Sequence, residues 1–164
     1  MTDERFTSLA RRYMDTVFRV AFSYMKSRAD ADDITQNVLL KLYRREEEFE
    51  SDEHLKHWLL RVTVNECKSA FRALWRHHED IEDYAETLAL PSKEHSDLFD
   101  AVMNLPRKYR VAIYLFYYEG YTTREMAEIL SLPETTVRTH LARGREKLRK
   151  ILTEAEEPNG QTAF

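Results

Sequence analysis

Apolar residues recur at helical spacing from the start of the chain. Phe6, Ala10, Tyr13, Met14, Val17, Phe18, Ala21 and Met25 follow the i, i+3, i+4 rhythm of an amphipathic helix. The polar run Ser27 to Asp30 reads as a connection. A second helix starts near Ala31, with Ala31, Ile34, Val38 and Leu42 on one face and acids at its positive end. Ser51-Asp52-Glu53 caps a third helix, from about Leu55 to Trp75, whose apolar face is Leu59, Val62, Thr63, Cys67, Ala70, Phe71 and Leu74. Three such helices can share one core. From His77 to Lys93 the periodicity fades; the stretch is acidic, ends in Leu90-Pro91-Ser92, and reads as a linker in which a short helix has room to form.

Periodicity resumes with Leu98, Ala101, Val102 and Leu105 and stops at Pro106. Val111 to Tyr118 are eight consecutive apolar residues. A buried strand is the rival reading, but no partner strand appears, so a helix continuing from Arg107 fits better. Gly120 suits a left-handed cap after it. Thr122-x-x-Glu125 is a capping box before Met126, Ala127, Ile129 and Leu130. Ser131-Leu132-Pro133 makes a turn, and Ser131-x-x-Glu134 reads as a second capping box. Val137, Leu141, Gly144, Leu148 and Ile151 then mark the inner stripe of a last helix, where Gly144 allows a neighbouring backbone to approach. The expected fold is all-α: two small helical domains, residues 1–78 and 95–155, joined by a flexible acidic linker (79–94) and followed by a tail (156–164).

Composition narrows the function. Only three glycines occur, at 120, 144 and 160, so neither a dinucleotide fingerprint nor a phosphate-binding loop can form. The single cysteine, Cys67, excludes an internal disulfide and a cysteine zinc cage, and it falls on an apolar face. His54 and His57 lie three apart and His77 and His78 are adjacent, but a metal needs three or four ligands in fixed geometry and no HExxH occurs. No catalytic function, metal or cofactor is expected. No apolar run approaches a membrane span, and the charged N-terminus lacks a signal-peptide core, so a cytoplasmic protein is expected.

The formal net charge of −4 argues mildly against nucleic acid, but it hides strong segregation. Asp30–Glu53 carries −6 and Glu79–Glu94 carries −5, whereas Lys56–Arg76 and Pro133–Leu152 each carry +4. Both basic blocks lie on predicted helices. In the third helix Arg61, Asn65, Lys68, Arg72 and Arg76 align, with Trp58 and Trp75 at the stripe's edges. Cations beside aromatic rings suit single-stranded nucleic acid; a solvated stripe with core tryptophans is the plainer alternative.

The short helix, tight turn and basic helix form a helix-turn-helix. Residues near the start of the second helix would face base edges: Thr135, Thr136, Arg138, Thr139 and His140, with Arg138 able to fork onto guanine. Arg143, Arg145, Lys147, Arg149 and Lys150 offer charge for phosphates, though they circle the helix and some must point elsewhere, and the amides at Thr122 and Thr123 form an anion site. A helical hairpin that packs another protein is the alternative. On the second helix Asp33, Gln36, Asn37, Leu40 and Arg44 line the face opposite its core, and Leu40 is an apolar residue on a polar stripe.

These residues resemble bacterial sigma factors of the extracytoplasmic-function (ECF) subfamily. Asp30-Ala31-Asp32-Asp33-Ile34-Thr35-Gln36-Asn37-Val38-Leu39-Leu40-Lys41-Leu42 is similar to one family signature, and Trp58–Asn65 followed by Arg72 to the next. Leu105-Pro106 and Gly120 through Arg145 resemble the second domain, most closely at Leu132–Thr139. The resemblance implies a specificity subunit that brings core RNA polymerase to promoter DNA. It assigns Asp33, Gln36, Asn37, Leu40 and Arg44 to the polymerase clamp helices. Trp58, Arg61, Asn65, Lys68, Arg72 and Arg76 go to the −10 element, and the helix-turn-helix residues to the −35 element. The acidic linker would thread near the active channel. An anti-sigma factor is an implied partner. The family usually has Gly at Ser131 and Thr135, often an acid at Ser69, Arg at His140 and Ala at Gly144; these departures bear on the −35 sequence preferred. A stand-alone repressor, or a helical adaptor, is the rival reading from the residues alone.

Overall fold

The computed structural model describes residues 1–77 and 97–160. Among these there are helices and turns and no strand. Helix α1 spans Asp3–Met25, α2 Arg28–Arg44 and α3 Asp52–His77. In the second half α4 spans Asp97–Met103, α5 Arg107–Ile113, a π-helical segment Tyr114–Tyr118, α6 Thr123–Leu130 and α7 Glu134–Gly160. The expected linker, 79–94, lies outside the described residues, as do the short helix allowed within it and the end of the tail.

The local signals explain most boundaries. The Thr2 hydroxyl accepts from the Arg5 amide, Ser27 from Asp30 and Ser51 from His54, so α1, α2 and α3 each begin at a hydroxyl cap. Helix α6 begins with the full capping box: Thr122 Oγ1 accepts from the Glu125 amide, and Glu125 Oε1 accepts from the Thr122 amide. Gly120 takes φ +75°, as its place after an apolar helix requires.

Three expectations need correction. The apolar run does not stay α-helical. It widens into a π turn at Tyr114–Tyr118, closed by the Glu119 amide on the Tyr114 carbonyl. The wider turn buries Tyr114 and Leu115 while Tyr117 and Tyr118 reach the surface. Ser131 is not an N-cap: it closes α6 with φ 54°, the left-handed turn that glycine makes without strain. Gly144 admits a side chain and not a backbone, because a Cβ there would stand 2.9 Å from Ile113 Cγ1.

Val17, Val20, Ile34, Val38, Leu42, Leu59, Leu60, Val64 and Cys67 close the core of α1–α3. Met103, Ile113, Leu115, Met126, Ile129, Val137 and Leu141 close that of α4–α7. The two halves pack on each other. Helices α1 and α3 lie against α5, the π segment and α6. Arg110, 4% exposed, donates Nε to the Ser23 carbonyl (2.6 Å) and Nη2 to that of Tyr24 (2.9 Å), and Nη1 to the Leu105 carbonyl (3.1 Å). A cation from the second half thereby closes the negative end of α1. Burial, with Arg107 nearby, pulls its pKa down to about 10, so it remains charged near neutrality. Arg107 lies over the Phe71 ring at 4.0 Å.

Candidate nucleic-acid and polymerase interfaces

Helix α2 presents the first surface. Its buried face is Ala31, Ile34, Thr35, Val38 and Leu42, and Thr35 satisfies its hydroxyl on the Ala31 carbonyl. Asp33, Gln36, Asn37, Leu40 and Arg44 are therefore all exposed. Leu40 is 48% exposed, and Tyr43, 43% exposed, is one helical step away. The stripe read from the sequence is a single unobstructed face.

The stripe on α3 is divided. Arg61, Asn65 and Arg72 are exposed, and Arg72 donates to the Ser69 hydroxyl. Lys68 is partly buried and gives its ammonium to the Leu130 carbonyl at 3.1 Å, closing the end of α6. Trp58 does not stand open beside the stripe. Its ring is edge-on to Phe49 at 5.4 Å, with the Arg45 guanidinium 5.0 Å away. The side chains of Trp75 and Arg76 lie outside the described residues.

In the helix-turn-helix, α6 and α7 meet through Met126, Ile129, Leu130, Val137 and Leu141. Thr123 Oγ1 and Arg138 Nη2 both donate to Glu134 Oε1, each at 2.9 Å, which ties the starts of the two helices together. Thr122, Thr135, Arg138, Thr139 and Arg143 are exposed; Thr123 and Thr136 are half-buried. The structure thus gathers Thr122, Thr123, Thr135, Thr136 and Arg138 about one end of the motif. Two predicted residues turn elsewhere. The Arg145 Nε donates to the Tyr117 hydroxyl at 2.6 Å. The His140 ring stands edge-on to Tyr109 at 5.8 Å, and burial, with Lys108 and Arg143 close by, lowers its pKa.

Sequence reading missed the contacts between the halves. Besides Arg110 and Arg107 they include Arg19 with Glu119 (3.0 Å) and His57, whose Nε2 lies 3.0 Å from Glu125 and whose Nδ1 lies 3.7 Å from Glu128. These pairs are 68 residues or more apart, so no local spacing announces them. Cys67 is buried, which pushes its thiol pKa up and leaves it protonated and unreactive. No described helix is long and apolar enough to cross a membrane.

Known proteins resemble this chain over most of its length. The family model for sigma-70 region 2 matches residues 9–77, and that for sigma-70 region 4 matches residues 95–148. The chain is 32% identical over 161 residues to the ECF RNA polymerase sigma-E factor of Haemophilus influenzae, spanning 87% of this chain and 85% of that protein. It is 30% identical over 151 residues to the ECF RNA polymerase sigma factor SigM of Mycobacterium tuberculosis, spanning 90% and 76%. A solved structure of the sigma factor RpoE in complex with the anti-sigma factor NepR from Bartonella quintana superposes with a TM-score of 0.76. That match has 26% identity and covers 92% of this chain and 98% of that one. The −10 and −35 surfaces expected from the sequence thus fall in the two matched regions, and the chain belongs to the ECF RNA polymerase sigma factors, which direct polymerase to promoters to begin transcription.

Proposed function

We propose that this sigma factor works as a non-enzymatic cytoplasmic subunit whose three surfaces divide the task. Residues 1–78 and 95–155 act as separate working units joined by 79–94. The exposed face of α2 docks on the polymerase clamp helices through Asp33, Gln36, Asn37, Leu40 and Arg44. Arg61, Asn65, Lys68, Arg72 and Arg76 on α3 engage the −10 element, with Trp58 buttressing the stripe. Thr122, Thr123, Thr135, Thr136, Arg138 and Thr139 face the −35 element, and Arg143 reaches phosphate. His140 and Arg145 hold α7 against α5 and the π segment and thereby set its angle to the groove.

The observation that carries this reading is the α2 face: a complete polar stripe with one exposed leucine, left uncovered by the described residues. Replacing Leu40 by Asp should weaken binding to core polymerase by at least about tenfold, as loss of a buried apolar anchor does, and leave the helical circular dichroism unchanged. Unchanged polymerase affinity would remove α2 from the docking surface.

The packed arrangement serves rest and not promoter binding. Elements 25 base pairs apart lie about 85 Å apart on B-DNA at 3.4 Å per pair. A compact chain of this length has a radius of gyration of about 15 Å, so the halves must separate to reach both. Lys68 is also engaged on Leu130 while they touch. An anti-sigma protein fits as the partner that holds this state, since the matched RpoE chain is itself bound to one.

A further inference from the structure

Glu53 and His57 are four residues apart on α3, and Glu125 and Glu128 three apart on α6, so each pair shares one helix face. The two faces oppose each other. One donor atom from each of Glu53, His57 and Glu125 lies within 4.8 Å of the other two, and His57 Nε2 stands 3.0 Å from Glu125 Oε2. Four zinc-type ligand atoms at about 2.1 Å from an ion stand about 3.4 Å from one another, inside that range. Three carboxylates surround one imidazole. Glu53 has no ion-pair or hydrogen-bond partner among the described residues. The nearest cation on the same helix, Lys56, stands over the Tyr121 ring at 5.2 Å. Among the described residues no lysine or arginine forms an ion pair with Glu53, Glu125 or Glu128.

The outer groups are also in place. Glu128 Oε2 is 3.7 Å from His57 Nδ1, too long for a hydrogen bond but on the side of the ring from which a carboxylate would accept Nδ1–H once the ring turned to a metal at Nε2. The other oxygen of Glu125, Oε1, is held by the Thr122 amide, which aims Oε2 at the cluster. Tyr121, 5% exposed, walls one side with its ring edge-on to His57.

We propose that Glu53, His57 and Glu125 form a binding site for a divalent transition-metal ion of the zinc type, with Glu128 orienting the imidazole and water completing the coordination. One imidazole nitrogen with two carboxylates suits zinc; all-oxygen sites suit magnesium and calcium. Because the ligands come from both halves, the ion is held only while α3 and α6 are together, and it ties region 4 onto the −10 helix.

The test is calorimetric titration of the full-length protein with zinc chloride, after chelator treatment. One equivalent should bind, more tightly at pH 8 than at pH 6 because protons compete for the ligands, and millimolar magnesium should not displace it. Glu128→Gln should weaken binding about 10–100-fold. Glu53→Gln and His57→Gln should weaken it further, with helical circular dichroism unchanged. Glu53 is exposed and unpaired, so its variant will fold. Absence of stoichiometric binding, displacement by magnesium, or equal affinity in wild type, Glu53→Gln and His57→Gln overturns the site.

Discussion

Ser131 holds a left-handed turn, at φ 54°, that a β-carbon disfavours by roughly 1–2 kcal/mol. Ser131→Gly should therefore raise thermal stability, by up to about 1 kcal/mol once the larger chain entropy of glycine is set against the relief. A melting curve checks this, and a lowered midpoint would mean that the hydroxyl has a role the backbone angle does not show. The local pattern misled here because a serine three residues before a glutamate satisfies the capping-box rule wherever it stands; only the backbone angle distinguishes the end of α6 from the start of α7. On the proposed function Arg138 and Arg149 do different work, the first at a base edge and the second at phosphate. Arg138→Ala should weaken −35 binding and relax base choice by about 1–3 kcal/mol. Arg149→Ala should lower affinity evenly across sequences. Equal behaviour of the two, measured by competition among promoter duplexes with polymerase present, would show that α7 sits in the groove in another register.

Helices were the most legible level, because capping residues and a 3.6-residue period are local properties. Thr2, Ser27, Ser51 and Thr122 each mark a helix start in the structure, although Thr2 and Ser27 open their helices three residues earlier than the apolar pattern indicates. The π turn was not legible: eight apolar residues in a row erase the periodicity from which a wider turn would be read. What one helix end does to its neighbour was equally hidden. Glu125 belongs to the capping box, yet it also meets His57 of α3. The Thr122 amide foremost, and then His57, hold its pKa below the ordinary 4.5. A carboxylate with a depressed folded-state pKa contributes stability that is complete above its unfolded value and lost as pH falls through the folded one. Acid unfolding followed by circular dichroism should therefore show a component below pH 4.5 that Glu125→Gln removes. An unchanged acid limb in that variant would mean the carboxylate is not ionised in the cap.

At the scale of the molecule, charge segregation pointed to function where net charge pointed away from it. The two +4 blocks fall on α3 and α7, the helices assigned to promoter contact, and the acid lies at the start of α2, between α2 and the start of α3, and in 79–94. The contact between the halves had no sequence signature. Arg110 sits one turn into α5 like any surface arginine, yet it closes the end of α1 across 86 residues. Its two carbonyl partners on α1 make the resting contact specific and not merely apolar. The same packing occupies Lys68, so on the function proposed above the halves part before its ammonium can reach DNA. This chain gives core polymerase its promoter choice. The direct measurement is transcription by purified core polymerase with and without the protein on fragments of the source genome, with transcript starts mapped. Starts that appear only with the protein and share one pair of upstream elements are expected; starts that are absent or unchanged, with the protein folded, would rule out a sigma factor.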